Sequence, residues 1–443
     1  MDQAMPLLST SEKTALESKS LRDTGGWLNT TEPQSSYRTG AFFRAAIFAA
    51  LKKIEVGAVS IIEGDCSTTF GKVTTRPTVK LFVRNPRFYR RCVLGGSLGA
   101  ADAYRRGEWT TNDLVELIQL FARNRLVLES LGGRMRNIFC GIQRFLHVLK
   151  RNTLLGSRRN IAAHYDLSND FFASFLDDTM TYSGGIFVSP DTNLHDASVE
   201  KYDRICRKLR LQPKDEVLEI GTGWGGFAEH AARQYGCHVT STTISAEQFE
   251  YAQKRITNAG LTKRVQLLQQ DYRELRGQYD KLISIEMIEA VGDSYLPMYF
   301  KQCSKLLRPD GAFVLQAITI PDQRYDRYRK SVDFIQRYIF PGGCLPSLGA
   351  ISAATGQASD MRLVHLEDFS EHYARTLFLW RERFWKNIDR IRSYGASEEF
   401  LRTWDYYFAY CEGGFRERQI GVAQLCFHKP NCTETLSIEP LLS

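Results

Sequence analysis

The chain has 443 residues, 43% of them apolar and 24% charged, with a formal net charge of +8. That length allows two domains with cores of their own, and the balance is that of a globular protein rather than a disordered or fibrous one. The ten cysteines are scattered without a C-x-x-C pair and the eight histidines do not join them at ligand spacing, which excludes a disulfide scaffold and a zinc site.

In chain order, residues 1–35 are rich in Ser, Thr, Asp and Glu and read as a disordered leader. They show no basic stretch followed by an apolar one, so the thiols are expected to be reduced and the protein cytoplasmic. GAFFRAAIFAALKKI, residues 40–54, is the nearest approach to a membrane span but falls short of the roughly 18–20 apolar residues required. It reads as a helix over 40–53 whose lone Arg44 favours core packing over insertion. VGAVSIIEGDCSTTFG predicts a hairpin and TVKLFVRN, 78–85, a further strand. LGAADAYRRGEW turns helical, and NDLVELIQLFARNRLVLESL is an amphipathic helix with Asn112 as candidate N-cap. Residues 36–150 thus form a small α+β domain, joined by a basic connector, 151–160, to a second domain over 151–430 and a tail, 431–443.

From Val217 strand and helix patterns alternate: VLEI, GGFAEHAARQYG, HVTSTTI, AEQFEYAQKRITNAG, VQLLQQ, YDKLISIE, a helix YLPMYFKQCSKLLRPDG closing on Pro-Asp-Gly, and AFVLQAIT. Alternation of this length predicts an α/β fold with a doubly wound, Rossmann-like parallel sheet. VLEIGTGWGGF places Gly221, Gly223 and Gly226 between the first strand and the first helix, where such sheets bind nucleotides. The acidic ribose ligand of a dinucleotide enzyme is missing from HVTSTTIS. Glu219 instead ends the first strand, and Asp271 follows the third. Carboxylates without arginines suit a cationic ligand, so S-adenosyl-L-methionine is favoured over a pyrophosphate.

NIAAHYDLSNDFFASFLDDTMTYSGGIF (160–187), the glycine-loop segment (217–248), SIEMIEAVG (284–292), YIFPGGCLPS (338–347), CEGGFRERQIGVAQL (411–425) and LGGSLGAADAYRRGEW (94–109) together resemble the cyclopropane-fatty-acyl-phospholipid and mycolic acid cyclopropane synthases. The likeness spans roughly residues 40–430. It implies a class I S-adenosyl-L-methionine-dependent methyltransferase that adds a methylene across a cis double bond of a phospholipid acyl chain, with the N-terminal domain on the lipid side. By the same likeness Tyr182, Ser183, Gly221, Gly223, Thr243, Gln248, Tyr272 and Arg273 join Glu219 at the cofactor, and Cys411 matches an active-site cysteine. Core packing is the commoner fate of a helical cysteine.

Methyl transfer to an alkene leaves a carbocation, for which Tyr182, Phe187, Phe340, Tyr373 and Trp380 supply aromatic faces. The family's proposed base is a bound bicarbonate, and its cage maps to Gly184, Glu289, Gln316, Ile318 and Tyr373. Two positions depart: Gly184 replaces a cysteine and Gln316 a histidine. Ala290 also replaces a histidine beside Glu289. Two outcomes follow, a ring if bicarbonate binds, or a methyl- or methylene-branched product if it does not, with Glu289 as base. A non-catalytic lipid-binding relative and a methyltransferase of RNA or a soluble metabolite are the competing classes. The expected partner is an unsaturated phospholipid at the inner membrane surface, approached peripherally through the basic segments 84–91 and 156–160, with no nucleic acid and room for a homodimer.

Overall fold

A computed structural model describes residues 37–125, 168–435 and 441. The leader, the connector with its basic segment 156–160 and most of the tail lie outside the described residues. The chain divides into two compact units: residues 1–143 with 395–417 and 442–443, and residues 144–394 with 418–441.

In the first unit, helix Tyr37–Leu51 buries Ile47, Ala50 and Leu51, while Arg44 pairs with Glu63 at 2.7 Å. Strands β1 (Ala58–Glu63) and β2 (Cys66–Gly71) form the expected hairpin. Strand β3 (Thr78–Val83) runs parallel to β1, and a short β4 (Trp109–Thr111) closes the sheet order β2-β1-β3-β4. Helix Arg87–Arg105 begins earlier than its pattern suggested and breaks at Gly96. The next helix, Leu114–Arg123, is capped by Asp113, not by Asn112. The Asn112 side chain instead accepts from the amide of Lys80 at 2.6 Å, so sheet pairing takes it away from the helix. Helix Glu398–Arg416 belongs to this unit, although it lies within the 151–430 stretch. Its Asp405 accepts a 2.6 Å bond from Tyr104.

The second unit is built on a seven-stranded sheet: β5 (Glu216–Ile220), β6 (His238–Thr243), β7 (Val265–Gln269), β8 (Tyr279–Ile285), β9 (Leu307–Thr319), β10 (Arg362–Asp368) and β11 (Gly421–His428), in the order β10-β11-β9-β8-β5-β6-β7. The five strands that the alternating pattern predicts are mutually parallel, and β11 and β10 extend the sheet antiparallel. Helices separate β10 from β9 and β11 from β10, but the alternation read from Val217 ends at β9, so the pattern does not include either strand. The Pro-Asp-Gly segment does not end the preceding helix. Helix Leu296–Leu306 stops earlier, and Arg308–Gly311 sit in an irregular stretch of β9, where the pairing shifts from Tyr279↔Leu307 to Lys281↔Ala312.

Side-chain alternation along the strands sends Leu218, Leu282, Phe313, Leu315 and Phe427 into one core and Val217, Ile283, Val314 and Cys426 into another. Helix Leu194–Leu209 covers the second face through Ile205, Cys206 and Leu209. Gln316 and Gln424 share that face and are register partners across β9 and β11. The end of the sheet at this point positions the candidate site.

Candidate active site

The loop after β8 carries two carboxylates. Glu286 is a non-glycine residue at φ 48°, a left-handed conformation that turns the chain sharply out of the strand. Its Oε1 accepts from the Gly184 amide at 2.9 Å and from Gln316 Nε2 at 2.8 Å, and its Oε2 accepts from the Tyr373 hydroxyl at 2.7 Å. Burial raises its pKa, against those three bonds and the charge of Lys201. Glu289 follows one short turn later. Its Oε1 accepts from the Ile318 amide at 2.5 Å, and its buried Oε2 has no hydrogen-bond partner among the described residues. Burial, followed by the neighbouring Glu286 charge, pushes the Glu289 carboxyl up to about 8.

The orientation of Gln316 is fixed by a chain of donors. Lys208 is wholly buried, and an ammonium only donates. Its Nζ bonds Gln424 Oε1 at 2.7 Å, so Gln424 Nε2 faces Gln316 Oε1 at 3.0 Å, and Gln316 Nε2 must face Glu286. Lys208 also bonds Glu367 at 2.8 Å, and Arg204 bonds the same carboxylate. Burial works to raise the Glu367 carboxyl, but these two cations outweigh it and hold it at about 2. The neutral amides therefore run from a charged anchor to the Glu286 carboxylate.

Gly184 packs against Tyr373: a Cβ there would lie 3.0 Å from the ring, so the cysteine expected from the likeness would require the tyrosine that bonds Glu286 to give by a few tenths of an ångström. Lys201, fully buried on helix Leu194–Leu209, donates to Ser183 Oγ at 2.7 Å. Burial lowers its pKa to about 8, opposed by Glu286, Asp177 and Glu219.

An aromatic cluster adjoins the carboxylates. The Tyr182 ring lies 5.3 Å from Phe172, 5.3 Å from Trp380 and 6.2 Å from Phe340, and Tyr373 meets Trp380 edge-on at 6.1 Å. Tyr373 thus belongs to both the cluster and the carboxylate site. Phe187 does not join through its ring: it stacks on His372 at 6.3 Å under the guanidinium of Arg375.

The expected cofactor residues line the ends of β5, β6 and β7. Glu219 accepts from Ser241 at 2.5 Å across the β5–β6 pairing, and Ser241 meets the Thr222 hydroxyl at 2.7 Å. Burial pushes the Glu219 carboxyl up to about 8, against Ser241 and Lys201. Gly221 and Gly223 both take positive φ, and a Cβ added at Gly223 would meet no atom within 4 Å. Thr243 bonds Gln248 Oε1 at 2.9 Å in the place of a ribose carboxylate. After β7, Tyr272 and Arg273 stand on a short turn capped by Asp271, whose carboxylate holds Arg273 at 2.6 Å. This set fits S-adenosyl-L-methionine: an open glycine loop, an acidic strand end and hydroxyl-amide groups rather than a pyrophosphate cradle.

Of the residues expected to act, Glu289, Gln316, Ile318 and Tyr373 come together in the second unit. Cys411 lies on helix Glu398–Arg416, in the first unit. Sequence reasoning passes over Glu286, Lys201 and Gln424. For Glu286 a signal is present, a second carboxylate three residues before Glu289 in SIEMIEAVG. Lys201 and Gln424 carry none.

A model of the family described as mycolic acid cyclopropane synthetase matches residues 153–425. The chain is 41% identical over 363 residues to tuberculostearic acid methyltransferase UfaA1 of Mycobacterium tuberculosis, covering 78% of this chain and 82% of that protein. It is 37% identical over 361 residues to the cyclopropane-fatty-acyl-phospholipid synthase of Escherichia coli, covering 78% and 87% respectively. Among solved structures, the cyclopropane synthase MmaA2 from Mycobacterium tuberculosis matches with a TM-score of 0.58 at 31% identity, over 61% of this chain and 98% of that one. Mycolic acid cyclopropane synthase CmaA1 complexed with SAH and CTAB matches with the same values.

Proposed function

The chain belongs to the mycolic acid cyclopropane synthetase family and is an S-adenosyl-L-methionine-dependent methyltransferase; from that footing we propose that it modifies the double bond of an unsaturated phospholipid acyl chain. The observation that carries this reading is Tyr373, which joins Glu286, one of two half-buried carboxylates, to an aromatic cluster. An alkene is a poor nucleophile, and the cofactor supplies the strong electrophile, a methyl group on a sulfonium. Bonding of that carbon to one alkene carbon leaves a cation on the other. Tyr182 and Phe340, half-buried at the edge of the cluster, would offer apolar surface to a lipid chain and ring faces to the cation, backed by the buried Tyr373 and Trp380. Glu286, ringed by three donors, supplies opposite charge beside it, fixed in place before reaction. Loss of a proton from the new methyl group then closes a three-membered ring.

A branched product is the second reading, supported by the 41% identity to an enzyme named for tuberculostearic acid. A hydride shift would place the cation on the methylated carbon, and loss of a methyl proton would leave a methylene branch. The transfer step is common to both.

Among the described residues, no helix is long and apolar enough to cross a membrane. The reading therefore has the protein meet its lipid at the inner membrane surface, with exposed Arg84 and Arg90 as headgroup contacts. The test is incubation with S-adenosyl-L-methionine and cis-unsaturated phospholipid vesicles, followed by mass spectrometry of the fatty acids. A ring product is expected. A methylene branch selects the second reading, and unaltered acyl chains overturn both.

A further inference from the structure

The five positions that the family likeness assigns to a bicarbonate cage do not fit a bicarbonate. The Gly184 amide, Gln316 Nε2 and the Tyr373 hydroxyl all donate to Glu286, and the Ile318 amide donates to Glu289. An exogenous anion would need these donors released. Gln316 cannot turn to offer another, because its Oε1 is held by Gln424 and, behind that, by Lys208.

We infer that the Glu286 carboxylate stands in for bicarbonate as the proton acceptor, so that this enzyme needs no exogenous anion. The inference rests on the function proposed above. Among the described residues three donors and no acceptor bond the carboxylate, an arrangement that suits its ionised form. About four lone-pair sites are available on a carboxylate, so one remains to take a proton. In the step itself, the carbon–sulfur bond of the donor breaks as the new carbon–carbon bond forms. A methyl C–H bond then breaks. Its electron pair becomes the second ring bond, or the double bond of a methylene branch, and its proton goes to a Glu286 oxygen. The carboxylic acid returns the proton to solvent when product leaves. Gln316, Gln424 and Lys208 are positioning residues that keep the donors aimed at Glu286.

The variant to use is Glu286→Gly. At φ 48° glycine is the least strained residue, so the substitution removes the carboxylate without opposing the local backbone. In buffer stripped of carbon dioxide, wild type should retain full activity and the variant should lose at least ~100-fold, the scale of a general base. Added bicarbonate or formate should restore the variant at least ~10-fold and leave wild type unchanged. Calorimetric titration with bicarbonate gives a readout independent of turnover: binding to Glu286→Gly and none to wild type. A wild type that binds bicarbonate or requires it overturns the inference, as does a variant that is fully active without it. If wild type produces nothing from any unsaturated phospholipid, the proposed substrate fails, and the titration still decides whether Glu286 occupies the anion site.

Discussion

Glu289 Oε2 is a buried oxygen without a hydrogen-bond partner among the described residues, and that has a measurable consequence for stability. Its carboxyl sits at about 8 in the folded chain against an ordinary value of 4.5. Between those values the folded chain holds a proton that the unfolded chain has released. Stability contributed below the lower value is therefore lost as pH rises through the window. Glu289→Gln removes the titration while keeping an oxygen for the Ile318 amide. The melting temperature of the variant minus that of wild type should rise between about pH 5 and about pH 8 by several degrees, since each kcal/mol is worth ~2–4 °C in a unit of this size. Thermal melts across that range check it, and parallel curves would refute the assigned burial. Glu286 illustrates the limit of reading at this scale. SIEMIEAVG displays both carboxylates, and the likeness singles out Glu289. Only the left-handed turn at 286 aims that side chain at Gly184 and Tyr373, and backbone dihedrals are not written in residue type.

The glycine loop carries the element-scale prediction. Gly226 opens helix Gly226–Gln234 so close to its neighbours that a Cβ would lie 2.7 Å from the Tyr202 hydroxyl and 2.9 Å from the Thr179 carbonyl oxygen. A backbone carbonyl cannot swing aside, so Gly226→Ala should cost about 1–3 kcal/mol of overpacking. Gly223→Ala meets no atom and should cost only about 1–2 kcal/mol, for the left-handed backbone. Its methyl group, however, points into the space assigned to the cofactor, so its S-adenosyl-L-methionine affinity should fall at least ~10-fold. Urea unfolding and isothermal titration separate the two effects, and an unaltered affinity in Gly223→Ala would remove the cofactor from that loop. Strand-helix alternation made the five parallel strands legible, with only the short turn Tyr272–Glu274 in place of a helix between β7 and β8. Strands β10 and β11 also follow helices, but the alternation implies parallel pairing and so cannot indicate that both join the sheet antiparallel. The N-cap at Asp113 was hidden by an adjacent Asn with equal capping ability, and only the Lys80 amide decides between them.

At the scale of the whole molecule, the net charge of +8 bears on the proposed approach to a lipid surface. Not all of the basic run 84–91 is available for that. Arg91 is engaged by Glu108 at 2.8 Å and Asp102 at 2.9 Å, whereas Arg84 and Arg90 are exposed. Replacing Arg84 and Arg90 with Ala should weaken binding to anionic vesicles by about 1 kcal/mol each, with the loss shrinking as salt is raised. Arg91→Ala should instead lower thermal stability. Vesicle sedimentation at two salt concentrations checks this, and equal binding by all variants would move the membrane contact elsewhere.

The most direct measurement is the vesicle incubation repeated with S-adenosyl-L-methionine carrying a trideuterated methyl group. The account predicts acyl chains that gain the donor carbon with two of its three deuterium atoms, the third having left as the proton taken by the protein. Chains that retain all three deuterium atoms, or that gain no donor carbon, would contradict it.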